Sequence, residues 1–167
     1  MITRRTLLLN GTLLAAMGGT MSLFGKKEAD ARSGAFPVSY SDDEWRKRLT
    51  PEQFYVLRKH GTERPGSSPL NREKRDGIFA CAGCGQDLFR SEDKYESGTG
   101  WPSFTQPIKG AVGEAVDRSL FMTRTEVHCS RCGGHLGHVF PDGPKPTGLR
   151  YCMNGIAMTF KPAASAS

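Results

Sequence analysis

The chain has 167 residues, a formal net charge of +6 at pH 7, 37% hydrophobic and 24% charged residues, and is rich in glycine (20) and proline (10). That length favours one folded domain once any processed segment is set aside, and the apolar content suffices for a core. The basic residues are scattered, with no block of five or six, so nothing in the sequence supports a nucleic-acid partner.

At the start of the chain, Thr3-Arg4-Arg5-Thr6 precedes an apolar stretch that reaches Phe24 but is diluted by Asn10, Gly11, Gly18, Gly19 and Ser22. A membrane span needs about 20 predominantly apolar residues, more than this stretch offers. Paired arginines, a modest hydrophobic middle and Ala29-Asp30-Ala31 fit a twin-arginine export signal over 1–31, cleaved before Arg32. An uncleaved N-terminal anchor is the alternative. Either way the folded part is expected in the periplasm, and after cleavage without stable membrane insertion. Residues 32–40 read as an extended leader.

Ser41-Asp42-Asp43-Glu44 is a capping box and predicts a short helix to about Leu49. Thr50-Pro51-Glu52-Gln53 repeats the device, with Pro51 suited to the first helical position. Phe54, Val56 and Leu57 then face the core until Gly61 stops the helix. His60, in that last turn, complements the helix dipole and receives no other role. From Gly77 the pattern changes to short strands divided by glycine and proline: 78–81, 87–89, 112–117, 120–129, 135–140, 149–152 and 156–161. The expectation is a mainly β domain over 41–162, followed by a disordered tail at 163–167.

Five cysteines occur, and four of them form matching pairs, Cys81-Ala82-Gly83-Cys84 and Cys129-Ser130-Arg131-Cys132. Two such knuckles satisfy a closed tetrahedral zinc site. Two disulfides, or one redox pair, share the same spacing. Neither pair opens a helical pattern, as a redox pair normally does, and the spacing favours one structural Zn2+.

Cys152 has no partner left. A lone structural cysteine and a reactive thiol fit the count equally. If 149–154 is a strand, Arg150, Cys152 and Asn154 alternate onto one face. A guanidinium and an amide are poor core residues but favour a thiolate neighbour. His135 and His138 follow the second knuckle. They read as zinc ligands replacing a cysteine pair, as structural histidines, or as proton donors. The first reading strands two cysteines. The last requires a bulge, for which Gly137 is suited, to bring both rings to one side. Trp101 and Phe104 bracket Pro102 and fit either core positions or the walls of a pocket for a small apolar group.

Taken together, Cys81-x-x-Cys84, Ser97-Gly98-Thr99-Gly100-Trp101-Pro102-Ser103-Phe104, Cys129-x-x-Cys132-x-x-His135-Leu136-Gly137-His138-Val139-Phe140 and Gly148-Leu149-Arg150-Tyr151-Cys152-x-Asn154 resemble the B class of methionine sulfoxide reductases. Gly61-Thr62-Glu63-Arg64-Pro65 resembles that family's upstream motif, and the likeness runs from about Ser41 to Lys161. The resemblance implies two small antiparallel sheets in a tent-like arrangement, short N-terminal helices and a structural zinc held by Cys81, Cys84, Cys129 and Cys132. It implies reduction of the R epimer of methionine sulfoxide in oxidised proteins and peptides. Cys152 is then the nucleophile, His135, His138, Asn154 and Arg150 attend the sulfoxide oxygen, Trp101 holds the methyl group, and Phe104 is a further substrate-binding residue. Many members carry a resolving cysteine where this chain has Thr99. The expected enzyme is therefore a monomer with one catalytic cysteine, recycled by an external thioredoxin-like thiol.

Overall fold

The chain divides into two units, Met1–Asp30 and Ala31–Ser167. A computed structural model describes residues 36–119 and 122–164, all within the second unit. The expected export signal, the first residues of the leader and the last three of the tail lie outside the described residues. No helix among the described residues is long and apolar enough to cross a membrane.

Both capping boxes form. In α1 (Asp42–Arg48) the Ser41 hydroxyl accepts from the Glu44 N–H at 3.3 Å, while the Glu44 carboxylate accepts from the Ser41 N–H at 2.9 Å. In α2 (Pro51–Lys59) Thr50 and Gln53 make the same exchange at 3.2 and 3.1 Å. Each cap is worth about 0.5–2 kcal/mol, which matters for helices only seven and nine residues long. The stop of α2 falls one residue before the expected glycine, because His60 itself takes the left-handed conformation at φ 56°. Its apolar residues Phe54, Val56 and Leu57 are buried. Arg58 donates to the Cys132 carbonyl at 3.0 Å and ties the helix to the second knuckle.

The strands are β1 (Gly77–Cys81), β2 (Asp87–Arg90), β3 (Lys94–Tyr95), β4 (Ser103–Phe104), β5 (Val112–Asp117), β6 (Arg124–Cys129), β7 (His135–Phe140), β8 (Arg150–Met153) and β9 (Met158–Pro162). Among the described residues they form two antiparallel sheets, ordered β2-β1-β9 and β3-β4-β8-β7-β6-β5. This is the expected mainly β architecture. An aromatic stack joins the sheets: Phe104 lies 4.3 Å from Phe89, ring to ring, and 5.0 Å from Phe79.

Two strands start two or more residues later than expected, and two strands are additional. The strand expected from Leu120 begins at Arg124, because Asp117 accepts from the Ser119 N–H and turns the chain; Leu120 and Phe121 lie outside the described residues. The strand expected from Ile156 begins at Met158, after a 3-10 turn over Gly155–Ala157 whose first two N–H groups are taken by the Glu63 carboxylate. Strands β3 and β4 were not expected, having two residues each and so no period to read.

Candidate active site

Cys152 sits in β8, half buried, between two strands. Its registered neighbours are Ser103 on β4 and His138 on β7. Directly opposed residues share a face of the sheet, so the Cys152 thiol and the His138 imidazole project to the same side. The alternation expected for Arg150 and Cys152 holds as well, since Tyr151 and Met153 between and after them are buried.

The bulge needed to bring His135 beside His138 is present. Val127 pairs with Gly137 and His128 with His135, which leaves Leu136 as the extra residue of β7. The two imidazole rings consequently lie 5.4 Å apart. Gly137 serves a different purpose from the one expected: a Cβ there would run into the Cys152 carbonyl of β8. The carbonyl of the bulged Leu136 is captured by Asn154, whose backbone N–H donates at 2.8 Å and whose amide donates at 3.0 Å.

Each histidine is held by a carboxylate. His138 Nε2 lies 2.8 Å from Asp117 Oδ2, which also accepts from Arg124 at 2.6 Å. Burial opposes the Asp117 charge, but hydrogen bonds from Ser119, His138 and Arg124 hold its carboxyl well below the usual carboxylate range. Burial pushes the His138 imidazolium the other way, below its ordinary value, against the Asp117 contact. His135 Nδ1 lies 2.7 Å from Glu126 Oε1, both residues almost fully enclosed. With Glu126 ionised its carboxylate only accepts, and Nδ1 of His135 is then the donor of this bond.

A cleft of about 120 Å3 lies over the thiol, lined by Thr62, Trp101, Arg124, Gly137, His138, Phe140, Cys152 and Asn154. A wider apolar groove of about 750 Å3 runs beside α2 but contains neither Cys152 nor any histidine. The small cleft is the one that contains Cys152 and His138. Glu63 organises its rim. Its carbonyl accepts from the Trp101 indole at 3.2 Å, its N–H donates to Asn154 Oδ1 at 2.9 Å, and its carboxylate receives the N–H groups of Gly155 and Ile156 at 2.6 and 3.0 Å. Burial raises the Glu63 carboxyl above its ordinary pKa despite those two donors.

Thr99 places its hydroxyl 3.8 Å from the Cys152 sulfur. Behind it, the Ser97 hydroxyl lies 2.8 Å from Thr99 and 2.7 Å from Ser103.

Two expected site residues stand apart from the cleft. Phe104 pairs with Tyr151 rather than Cys152, so it points to the opposite face and is fully buried in the aromatic stack. It is a core residue, not a wall of the cleft. Arg150 shares the Cys152 face, but its guanidinium stacks on Phe140 and makes paired bonds to Asp142 at 2.8 and 2.7 Å. Four residues at the site had no role in the sequence reading: Glu63, Asp117, Arg124 and Glu126. For Glu126 a signal existed, since it is a charged residue inside a strand that runs just before the histidine strand. For Glu63 there was only the Gly-Thr-Glu-Arg-Pro motif.

The four paired cysteines converge. Cys81 Sγ lies 3.7 Å from Cys132 Sγ, and Cys84 Sγ lies 3.6 Å from Cys129 Sγ. A disulfide would bring sulfurs to about 2.05 Å. Four thiolates about 2.3 Å from a tetrahedral zinc stand roughly 3.8 Å apart, so the residues fit such an ion. All four sulfurs lie within 4.8 Å of one another, close enough to share a metal.

Fold and site define a thiol enzyme: a small mainly β domain that presents one cysteine, flanked by carboxylate-held imidazoles, in a narrow cleft. Residues 49–162 match the SelR domain model. The chain is 55% identical to the peptide methionine sulfoxide reductase MsrB of Agrobacterium fabrum, over 75% of this chain and 93% of that protein. It is 58% identical to that of Methanosarcina barkeri over 74% and 88%, and 53% identical to that of Leifsonia xyli over 80% and 97%. The chain belongs to the MsrB family of peptide methionine sulfoxide reductases.

Proposed function

We propose that this protein reduces the R epimer of methionine sulfoxide in oxidised proteins and peptides, with Cys152 as the nucleophile. The registered pairing of Cys152 with His138 beside Trp101 is the observation that carries this reading. The Cys152 thiolate attacks the sulfoxide sulfur while the oxygen accepts a proton from the imidazole side of the cleft. The oxygen passes to Cys152, methionine leaves, and the sulfur of Cys152, oxidised by two electrons, remains as a sulfenic acid. His138 is the group placed to deliver the proton; His135, held by Glu126, supports it from behind. The Trp101 ring supplies an apolar wall for the S-methyl group, and Glu63 orients that ring.

The Thr99 side chain puts a hydroxyl 3.8 Å from the Cys152 sulfur, and a hydroxyl cannot form a disulfide. The sulfenic acid is therefore reduced by an external thioredoxin-like dithiol, which takes the oxygen away as water. Cys81, Cys84, Cys129 and Cys132 hold one structural Zn2+, and the sulfur separations support that ion over disulfides. The ion cross-links the β1 and β6–β7 turns. With 1–31 read as a twin-arginine export signal, the client proteins are periplasmic.

The test is a peptide carrying both epimers of methionine sulfoxide, incubated with the purified protein and a dithiol. Consumption of the R epimer alone is expected. Consumption of the S epimer, or of neither, would overturn the reading.

A further inference from the structure

Apart from the four cysteines, one set of side chains among the described residues is arranged to take a metal ion: His60, Glu126 and His135, with donor atoms all within 4.8 Å of one another. They arrive from three elements, the end of α2, the middle of β6 and the start of β7. Glu126 Oε1 stands 3.1 Å from His60 Nδ1 and 2.7 Å from His135 Nδ1. An ion about 2.1 Å from each donor holds them roughly 3.0–3.4 Å apart at right or tetrahedral angles. The 3.1 Å pair already has that spacing, the 2.7 Å pair needs a shift of a few tenths of an ångström, and the two ring nitrogens, within 4.8 Å of each other, close to it around the ion. The trio faces a cavity of about 510 Å3, shared with Asp117, Arg124 and His138, which leaves room for water to complete the coordination. Two imidazoles and one carboxylate with an open position are the donors of three-ligand zinc sites, and imidazole also suits Ni2+, Cu2+ and Co2+.

We propose that His60, Glu126 and His135 form a second metal site, open and chemically distinct from the cysteine cluster, that takes a divalent transition ion. Binding displaces the protons that the two rings share with the Glu126 carboxylate. It also fixes His135, 5.4 Å from His138, as a ligand. An ion held there stops turnover, and its removal restores it. This consequence rests on the assignment of His135 and His138 to the reductase reaction; the site itself does not.

His60 is the residue to change. It is not among the residues that line the Cys152 cleft, and its left-handed backbone at φ 56° is one that asparagine adopts readily. His60→Asn should keep the fold and the basal turnover. The experiment titrates Co2+ into protein whose cysteine site is already filled. One further equivalent is expected, with visible d–d absorption and no new thiolate-to-metal charge transfer, and His60→Asn should weaken its binding at least tenfold. Zn2+ should inhibit the unaltered chain in parallel with its binding, be reversed by chelator, and inhibit His60→Asn at least tenfold less effectively. Absence of a second equivalent, or one indifferent to His60→Asn, overturns the site. A second equivalent that leaves turnover untouched overturns its inhibitory effect. A protein with no reductase activity would contradict the proposed function and leave the spectroscopic result to decide the site.

Discussion

The Thr99 hydroxyl lies 3.8 Å from the Cys152 sulfur, at the end of a chain of hydroxyls that continues through Ser97 to Ser103. A thiol in place of that hydroxyl would need only a small rotation to reach disulfide distance. After one turnover without reductant, the unaltered chain should therefore yield a sulfenic acid at Cys152 that a carbon nucleophile traps. Thr99→Cys should instead lose the trap signal and gain a 99–152 disulfide on peptide mapping. A disulfide to Cys152 in the unaltered chain would refute external recycling.

The Glu126–His135 contact is a buried carboxyl–imidazole hydrogen bond, and with either partner charged it is worth about 1.5–3 kcal/mol. If the two act as a unit, Glu126→Ala should lower kcat roughly tenfold to a hundredfold with little change in KM. Glu126→Gln, which keeps an acceptor for Nδ1, should recover part of that loss. Equal stability loss with unchanged kcat would make Glu126 merely structural.

The pH profile tests His138. Burial lowers its pKa and the Asp117 hydrogen bond raises it. A proton donor is active below its pKa, so kcat should fall as pH rises through a value below that of a free imidazole. Asp117→Asn removes the raising contact and leaves Arg124 uncompensated, so the descending limb should move to lower pH. A limb that stays in place would exclude His138 as the donor.

Phe104 and Trp101 separate core from cleft. Phe104→Ala should cost about 3–5 kcal/mol of stability, seen as a lower unfolding midpoint, with KM unchanged in the protein that remains folded. Trp101→Ala should raise KM for the peptide sulfoxide at smaller cost in stability.

What the sequence disclosed follows the range of the interactions. The capping boxes link residues three apart, and both could be read directly from Ser41, Glu44, Thr50 and Gln53. The cysteine knuckles and the alternation of Arg150 with Cys152 are equally local. Phe104 was misassigned because its face depends on pairing with Tyr151, 47 positions away by the register of β4 on β8. The carboxylates that hold the histidines, and the Glu63 bridge to Asn154 across 91 positions, are also long-range. Nothing in a neighbourhood of a few residues encodes them. The bulge in β7 was foreseen from its consequence, two histidines on one side, but its position at Leu136 is set by the pairing with β6 and by Asn154.

In the proposed reaction Cys152 attacks the sulfoxide sulfur. Cys152→Ser changes one atom in a half-buried side chain and should leave the fold and the metal content intact. Assayed on each epimer of a peptide methionine sulfoxide with excess dithiol, it should lose R-epimer reduction to background. Retained R-epimer reduction in that variant would contradict the account.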